Sequence, residues 1–379
     1  MTESGARQTT GPAEPIPLTV LTGFLGAGKT TLLNRLLPDP ALSDTIVVVN
    51  EFGEIGLDHL LVRNIDDNMV LLQSGCLCCT LRGDLVSALE NLLRDLDNGR
   101  FGFRRVILET TGLADPAPVL QTAMAHPYLV MRYRIDGVIA VVDAVNGSAT
   151  LDEHLESIKQ VAVADRIVLT KTDLVDTPER TQAKAALLAR LRALNPAAPI
   201  LDAAADEAKP ARLLDCGLYN AAQKIPDVTN WLAEESYAAA HDDHHNHRHD
   251  PNRHDERIRA FTLAADTPIP AGTFEMFIDL IRSLHGPKLL RLKGIVKIAE
   301  EPDRPLVIHG VQHVMHPPVR LERWPDADER TRIVLITRDL APQAVTRLFD
   351  AILQRTTLDA PDRAALLDNP LVPFGGVDR

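Results

Sequence analysis

The sequence predicts an α/β fold in which a domain with a mostly parallel sheet precedes a smaller α+β domain. Three observations carry this. Short apolar runs alternate with stretches of helical period, the pattern of strands joined by crossover helices. Each run ends in a polar or glycine-rich motif, and such sheets bind ligands beyond the carboxyl ends of their strands. The first motif, Gly23-Phe24-Leu25-Gly26-Ala27-Gly28-Lys29-Thr30, fits a phosphate-binding loop along its whole length.

Residues 16–22 form a buried strand by their apolar, β-branched composition. The glycine-rich turn follows, then an apolar-periodic helix over 29–37. Residues 45–49 give a second strand and 69–72 a third, which leads into a run of cysteines. Residues 81–96 have helical period. Strands at 105–108, 137–142 and 166–169 alternate with helices such as 151–161 and 179–194. Composition shifts after Ile200 to Ala, Asp and Lys, and 241–256 is almost wholly polar, which marks the domain boundary. Beyond Arg257 come a strand at 258–263 and a helix at 273–284 with Phe274, Phe277, Ile278, Ile281 and Leu284 at helical spacing. Strands at 289–298, 305–311 and 331–336 and a helix at 343–353 complete it. The expected organisation is a disordered start (1–15), a nucleotide-binding domain (16–215), a linker with a histidine tract (216–256), a second domain (257–354) and a tail (355–379).

With 379 residues, 45% of them hydrophobic, the chain can bury more than one core. The net charge of −12 argues against nucleic acid as a partner. No run is long enough for a membrane span, and residues 1–15 lack the apolar centre of a secretory signal. Three of the four cysteines are nearly adjacent, which excludes a disulfide framework and indicates metal or redox chemistry in a reducing, cytoplasmic setting.

The phosphate loop needs its residue types. Glycines let backbone N–H groups turn inward around phosphate oxygens, and the helix that follows adds its dipole. Lys29 is expected at the β- and γ-phosphates and the Thr30 hydroxyl on Mg²⁺. Thr170-Lys171-Thr172-Asp173 follows a strand and reads as the N-K-x-D guanine signature with Thr at the Asn position. The Asp173 carboxylate can accept from guanine N1–H and the exocyclic amine, a pair adenine does not offer, and the Lys171 stem can pack over the base. Glu109-Thr110-Thr111-Gly112-Leu113-Ala114-Asp115-Pro116 also ends a strand. Glu109 there suits Mg²⁺, and Gly112 permits close approach to the γ-phosphate. No Gln or Arg in the sequence stands out as the residue that positions water. Glu51 and Glu54 are candidates by location, and slow intrinsic hydrolysis is expected.

Cys76-Leu77-Cys78-Cys79 offers at most three soft thiolates. A closed structural zinc site takes four ligands, so Glu51, Glu54, Asp58 or a histidine completes it, and a site so filled can also release its ion. Buried apolar cysteines and a redox pair are the alternatives. Cys216 stands alone and reads as a core residue. His241, His244, His245, His247, His249 and His254 lie in a polar stretch that reads both as a solvated linker and as a loose metal-gathering arm. His309, His313 and His316 are expected on a polar sheet face. Lys288, Arg291 and Lys293 are read either as a contact for an acidic partner or as a solvated face.

Taken in order, Gly23 to Thr30, Asn50-Glu51-Phe52-Gly53, Gly75-Cys76-Leu77-Cys78-Cys79, Glu109 to Pro116 and Thr170 to Asp173 resemble CobW-type P-loop GTPases. That family comprises the metallochaperone relatives of the urease and hydrogenase nickel-insertion GTPases. The segment from about Arg257 to Leu353, with His285-Gly286-Pro287-Lys288 and Trp324, resembles the family's C-terminal domain. The resemblance implies a P-loop NTPase fold, GTP hydrolysis with Mg²⁺, Zn²⁺ or Co²⁺ at the cysteines, and transfer to a client apo-metalloprotein. By motif position, Gly23, Gly26, Ala27, Gly28, Lys29, Thr30 and Thr31 contact phosphate, and Thr170, Lys171 and Asp173 contact guanine. Cys76, Cys78 and Cys79 hold the transferred metal, with Glu51 as a candidate further ligand. A homodimer is compatible with the sequence. Cobalt delivery in cobalamin synthesis, activation of one metalloenzyme, a GTP-switched metal sensor or store, and a nucleotide-dependent enzyme with structural zinc are the rival readings.

Overall fold

The computed structural model of the chain describes residues 15–51, 69–73, 80–215, 257–312 and 314–353. The first sheet holds β1 (Ile16–Gly23), β2 (Thr45–Glu51), β3 (Met69–Gln73), β4 (Arg105–Glu109), β5 (Tyr133–Asp143), β6 (Arg166–Thr170) and β7 (Ile200–Asp202). Their order is β3-β2-β4-β1-β5-β6-β7, and every pairing is parallel. The α/β expectation therefore holds. Such strands are apolar on both faces because helices cover both, and β2 illustrates it. Ile46 and Val48 enter the core beneath α2 (Thr80–Asp97) and α3 (Ala117–Ala125). Val47 and Val49 enter the opposite core beneath α1 (Lys29–Leu36).

Helix α1 buries Lys29, Leu32, Leu33 and Leu36, the i, i+3, i+4, i+7 stripe of an amphipathic helix. After the short α4 (Leu129–Arg132), the run expected as one helix over 151–161 is two, α5 (Gly147–Glu153) and α6 (Leu155–Val163). His154 separates them in an extended conformation (φ −129°, ψ 111°), its ring stacked on Phe24 at 4.3 Å. A tertiary contact thus overrides the apolar period. Strand β5 starts at Tyr133, earlier than its apolar run suggested. α7 (Pro178–Leu194) opens with Pro178 and a Thr177 side chain that accepts from Arg180 N. The segment set apart by composition after Ile200 contains strand β7 and α8 (Pro210–Leu213).

The second sheet is antiparallel: β8 (Ile258–Ala265), β9 (Leu289–Val296), β10 (Leu306–Val311), β11 (Val314–Met315), β12 (Val319–Arg320) and β13 (Thr331–Arg338). Helices α9 (Ala271–His285) and α10 (Pro342–Ile352) cover one face through Phe274, Phe277, Ile281, Val345 and Phe349. The other face packs on the first domain. Ile258, Leu290 and Ile336 share a core with Ile158 and Leu187, and Gln121 donates to Gln312 across the junction.

Charge is buried at this junction. Asp165 accepts from Arg291 and from Lys293 (2.7 Å), and Arg291 also donates to Val163 O. All three side chains are at most one-tenth exposed. The expectation of a solvated basic face or an external acidic partner is corrected for Arg291 and Lys293, whose acidic partner lies within the chain. Lys288 is exposed. His309 and His316, expected on a polar sheet face, lie near these charges. Both are buried with rings stacked 4.5 Å apart, and neither Nε2 has a partner among the described residues. His313 lies outside those residues.

Burial opposes ionisation of Asp165, but Arg291 and Lys293 outweigh it and hold the carboxyl well below its usual range. Burial, reinforced by Arg291, lowers Lys293 to about 8. Burial lowers His316 to about 4 and His309 well below its ordinary value. Among the described residues no helix is long and apolar enough to cross a membrane.

Two outcomes are expected. Asp165→Asn leaves two buried cations without their counter-charge and lowers unfolding stability by about 3–5 kcal/mol in chemical denaturation. Between the ordinary histidine value of 6.5 and about 4, the unfolded chain binds protons that the folded chain refuses. Stability therefore falls as pH drops through that window. Thermal unfolding from about pH 7 to about pH 5 checks the sign, and His316→Gln flattens the slope.

Candidate active site

β1 delivers Gly23 at the carboxyl edge of the sheet, and α1 opens six residues later. Gly28 caps α1 at φ 94°, a left-handed conformation that side chains resist. The loop closes by Ala27 N donating to Phe24 O (3.1 Å). Lys29 is largely buried, and its Nζ lies 2.9 Å from Gly23 O and 3.3 Å from Phe24 O. This aims the ammonium along the inner rim of the loop. Thr31 is exposed at the start of α1.

Glu109, buried at the end of β4, is one strand away. Thr30 Oγ1 donates to its Oε1 at 3.1 Å, and the hydroxyl of buried Thr111 has no partner among the described residues. These are hard oxygen donors, the set that Mg²⁺ requires. Thr30 and Glu109 fit the ion directly or through water.

The loop after Glu109 lies on the phosphate loop. A Cβ on Gly112 would stand 2.5 Å from Leu25 N, so only glycine fits there. Leu25 and Leu113 are both exposed at this edge.

The base-reading loop follows β6. Thr170 Oγ1 donates to Ala27 O at 2.6 Å, tying this loop to the phosphate loop with a hydroxyl where the signature has an amide. Lys171 takes φ 57°, and its Nζ is held by Asp143 at 2.7 Å. Burial tends to raise Asp143, but hydrogen bonds from Lys171 and from Asn146 lower it. Thr172 Oγ1 donates to Asp202 Oδ1 (2.5 Å), which also accepts from Ala204 N. The loops after β6 and β7 are joined this way. Asp173 is exposed in the same loop. A cavity of about 140 Å³ behind the phosphate loop is lined by Phe24, Ala27, Asp143, Asn146, Gln160 and Lys171. It lies between the phosphate loop and the base-reading loop.

Cys76, Cys78, Cys79, Cys216, Glu54, Asp58 and the 241–254 histidines lie outside the described residues. The described backbone reaches both ends of the cysteine run. β2 and β3 pair with Glu51 opposite Gln73, three residues before Cys76, and Thr80, directly after Cys79, opens α2. Glu109 pairs with Val49, two residues before Glu51. Among the described residues no group of three or more His, Cys, Asp or Glu is arranged to hold a metal.

Residues 17–202 match the CobW/HypB/UreG nucleotide-binding domain, and residues 258–353 match the cobalamin synthesis protein CobW C-terminal domain. The chain belongs to the CobW family. The zinc chaperone YjiA of Escherichia coli is 33% identical over 336 residues, covering 88% of this chain and 98% of that protein. The zinc-regulated GTPase metalloprotein activator 1 of Schizosaccharomyces pombe is 37% identical over 171 residues, 43% of this chain and 41% of that protein. The crystal structure of Zn(II)-bound YjiA GTPase from E. coli superimposes with a TM-score of 0.64 at 28% identity, covering 89% of this chain and 99% of that one.

Several supporting residues had no sequence signal. Asp143, Asp202, Lys159 and Gln160 lie far along the chain from the loops they hold, in no recognisable motif. The Thr170 tether has a direct test. Thr170→Val removes the bond to Ala27 O and should weaken GTP and GDP alike by about tenfold in titration calorimetry.

Proposed function

We propose that this CobW-family member is a GTP-hydrolysing metallochaperone that binds zinc at Cys76, Cys78 and Cys79 and passes it to client metalloproteins. The observation that carries the reading is the strand order β3-β2-β4-β1. It lines up the approach to the cysteine loop, Glu51, Glu109 and the phosphate loop along one edge. Three strand spacings cover about 14 Å.

Lys29 neutralises charge on the β- and γ-phosphates, and the rim formed by Gly23, Gly26, Ala27, Gly28, Thr30 and Thr31 orients them. Thr30 and Glu109 hold Mg²⁺, which when bound offsets the charge that develops on the phosphoryl oxygens. Asp173 selects guanine by accepting from N1–H and the exocyclic amine, with Thr170 and Lys171 fixing its loop. When the γ-phosphate is present against the loop after β4, which is already held, its contacts order the cysteine loop. The adjacent strands β4, β2 and β3 connect the phosphate edge to Glu51 and the cysteines. Cys79 directly precedes α2, whose N-terminus favours thiolate over thiol and so primes the site for a soft ion.

Docking of a client on the second domain then triggers hydrolysis, and the GDP state releases zinc. Zinc is favoured over cobalt because the relatives above carry zinc in their names. We place the protein in the cytoplasm, where nearly adjacent cysteines stay reduced. The 216–256 segment joins the two domains and gathers metal.

The test is zinc affinity by chelator competition in GTP-Mg²⁺ and in GDP. At least about tenfold tighter binding with GTP is expected. Equal affinities would remove the coupling. Replacing the three cysteines with serine should abolish tight zinc binding while GTP affinity is retained.

A further inference from the structure

Sequence alone names no glutamine or arginine for the hydrolytic step, and the structure brings one to the loop that matters. Gln160 lies on α6, 1% exposed. Its Nε2 donates to Gly112 O at 3.1 Å and to Ala114 O at 3.0 Å. Both amide hydrogens are therefore spent on the backbone of the loop that follows Glu109. Next to it, Lys159 Nζ holds Asp115 Oδ2 at 2.8 Å, and Asp115 Oδ1 accepts from Ala117 N at the start of α3. Two consecutive residues of one helix thus grip both halves of the same loop.

The grip has a definite geometric effect. Peptide units are planar, so holding the oxygens of Gly112 and Ala114 also fixes the N–H directions of Leu113 and Asp115. The close packing of Gly112 on Leu25 means that this fixed stretch borders the phosphate loop directly. Helix α6 is itself firmly seated. Asn195 Nδ2 donates to Val161 O, Ala162 O and Ala164 O. Arg291 of the second domain donates to Val163 O, and Asp165 just beyond is held by Arg291 and Lys293. At the other end Ser157 Oγ donates to His154 O, and the His154 ring stacks on Phe24. A loop tied to such a helix keeps one arrangement with little further ordering when a ligand arrives.

We propose that Gln160 is a positioning residue for GTP hydrolysis. It holds residues 112–114 in the arrangement that receives the γ-phosphate, and it acts through the loop backbone without touching the nucleotide. The inference rests on the reading of the chain as a GTPase. On that reading the γ-phosphate is the group this loop receives, so loss of Gln160 acts on GTP and leaves GDP affinity unchanged.

The test uses the full chain with Gln160→Glu, which keeps the shape but sets an acceptor against two carbonyl oxygens, and Gln160→Met, which removes both donors. Lys159→Met, on the partly exposed side of the same grip, serves if burial makes the Gln160 variants fold poorly. Measured are single-turnover GTP hydrolysis, affinity for a non-hydrolysable GTP analogue, affinity for GDP, and the thermal midpoint. The Gln160 variants should lose about tenfold in turnover and in the preference for the GTP analogue over GDP, with GDP affinity unchanged. Lys159→Met should show a smaller loss of the same sign. Unchanged or faster turnover with normal GDP affinity would overturn the proposal. So would equal losses for GTP and GDP, which would make Gln160 a purely structural residue. Wild-type protein that binds GTP but never hydrolyses it would defeat the GTPase reading itself, and the analogue-to-GDP ratio would then decide the role of Gln160 in loop order separately.

Discussion

The parallel direction of the seven described strands of the first sheet is the constraint on which the molecule's organisation rests. A parallel ladder delivers every strand end to one edge, and the crossover helices return the chain beneath it. The phosphate loop, Glu109, the Thr170 loop and the approach to the cysteines are far apart in sequence, yet each follows such a strand. Chemistry therefore gathers along a line without any local sequence relation between its members. β1 near the middle of the order places the phosphate loop between the acidic loop on one side and the base-reading loop on the other.

The second domain is bonded to this frame by more than apolar contact. Its sheet offers Arg291 and Lys293 to Asp165, all nearly free of solvent. Burying three charges is expensive unless each is paired, and here one carboxylate serves two cations while its Oδ2 also accepts from Val138 N. The arrangement specifies one docking of the sheet over any slipped alternative, because a shift of one residue along β9 would turn both cations to the other face.

Much of this was legible in the chain. The apolar runs mark the strands of the first sheet because a doubly covered strand is apolar throughout, and the helical stripe of 274, 277 and 281 marks the helix over the second sheet. The phosphate and base loops were visible because their chemistry restricts residue types at fixed spacing. Long-range pairing was not legible. Arg291 and Lys293 have the composition of a wet surface, and only the partner sequence at Val163 and Asp165 makes them internal; His309 and His316 are buried stacked on each other. The break at His154 was hidden for the same reason: the residues around it are good helix formers, and the ring it meets is Phe24, far back in the chain. Gln160 and Asp143 belong to this class, since a side chain that supports a loop from a distant helix needs no motif.

The stacking of Phe24 on His154 bears on how the nucleotide is received. A glycine-rich turn is intrinsically floppy, and immobilising it at the moment of association would subtract from affinity. Here an aromatic side chain within the turn leans on a kink between two helices, while Thr170 fastens the carbonyl of Ala27 from the opposite flank. The cradle is therefore shaped when the polypeptide folds, and an arriving triphosphate meets a mould already set.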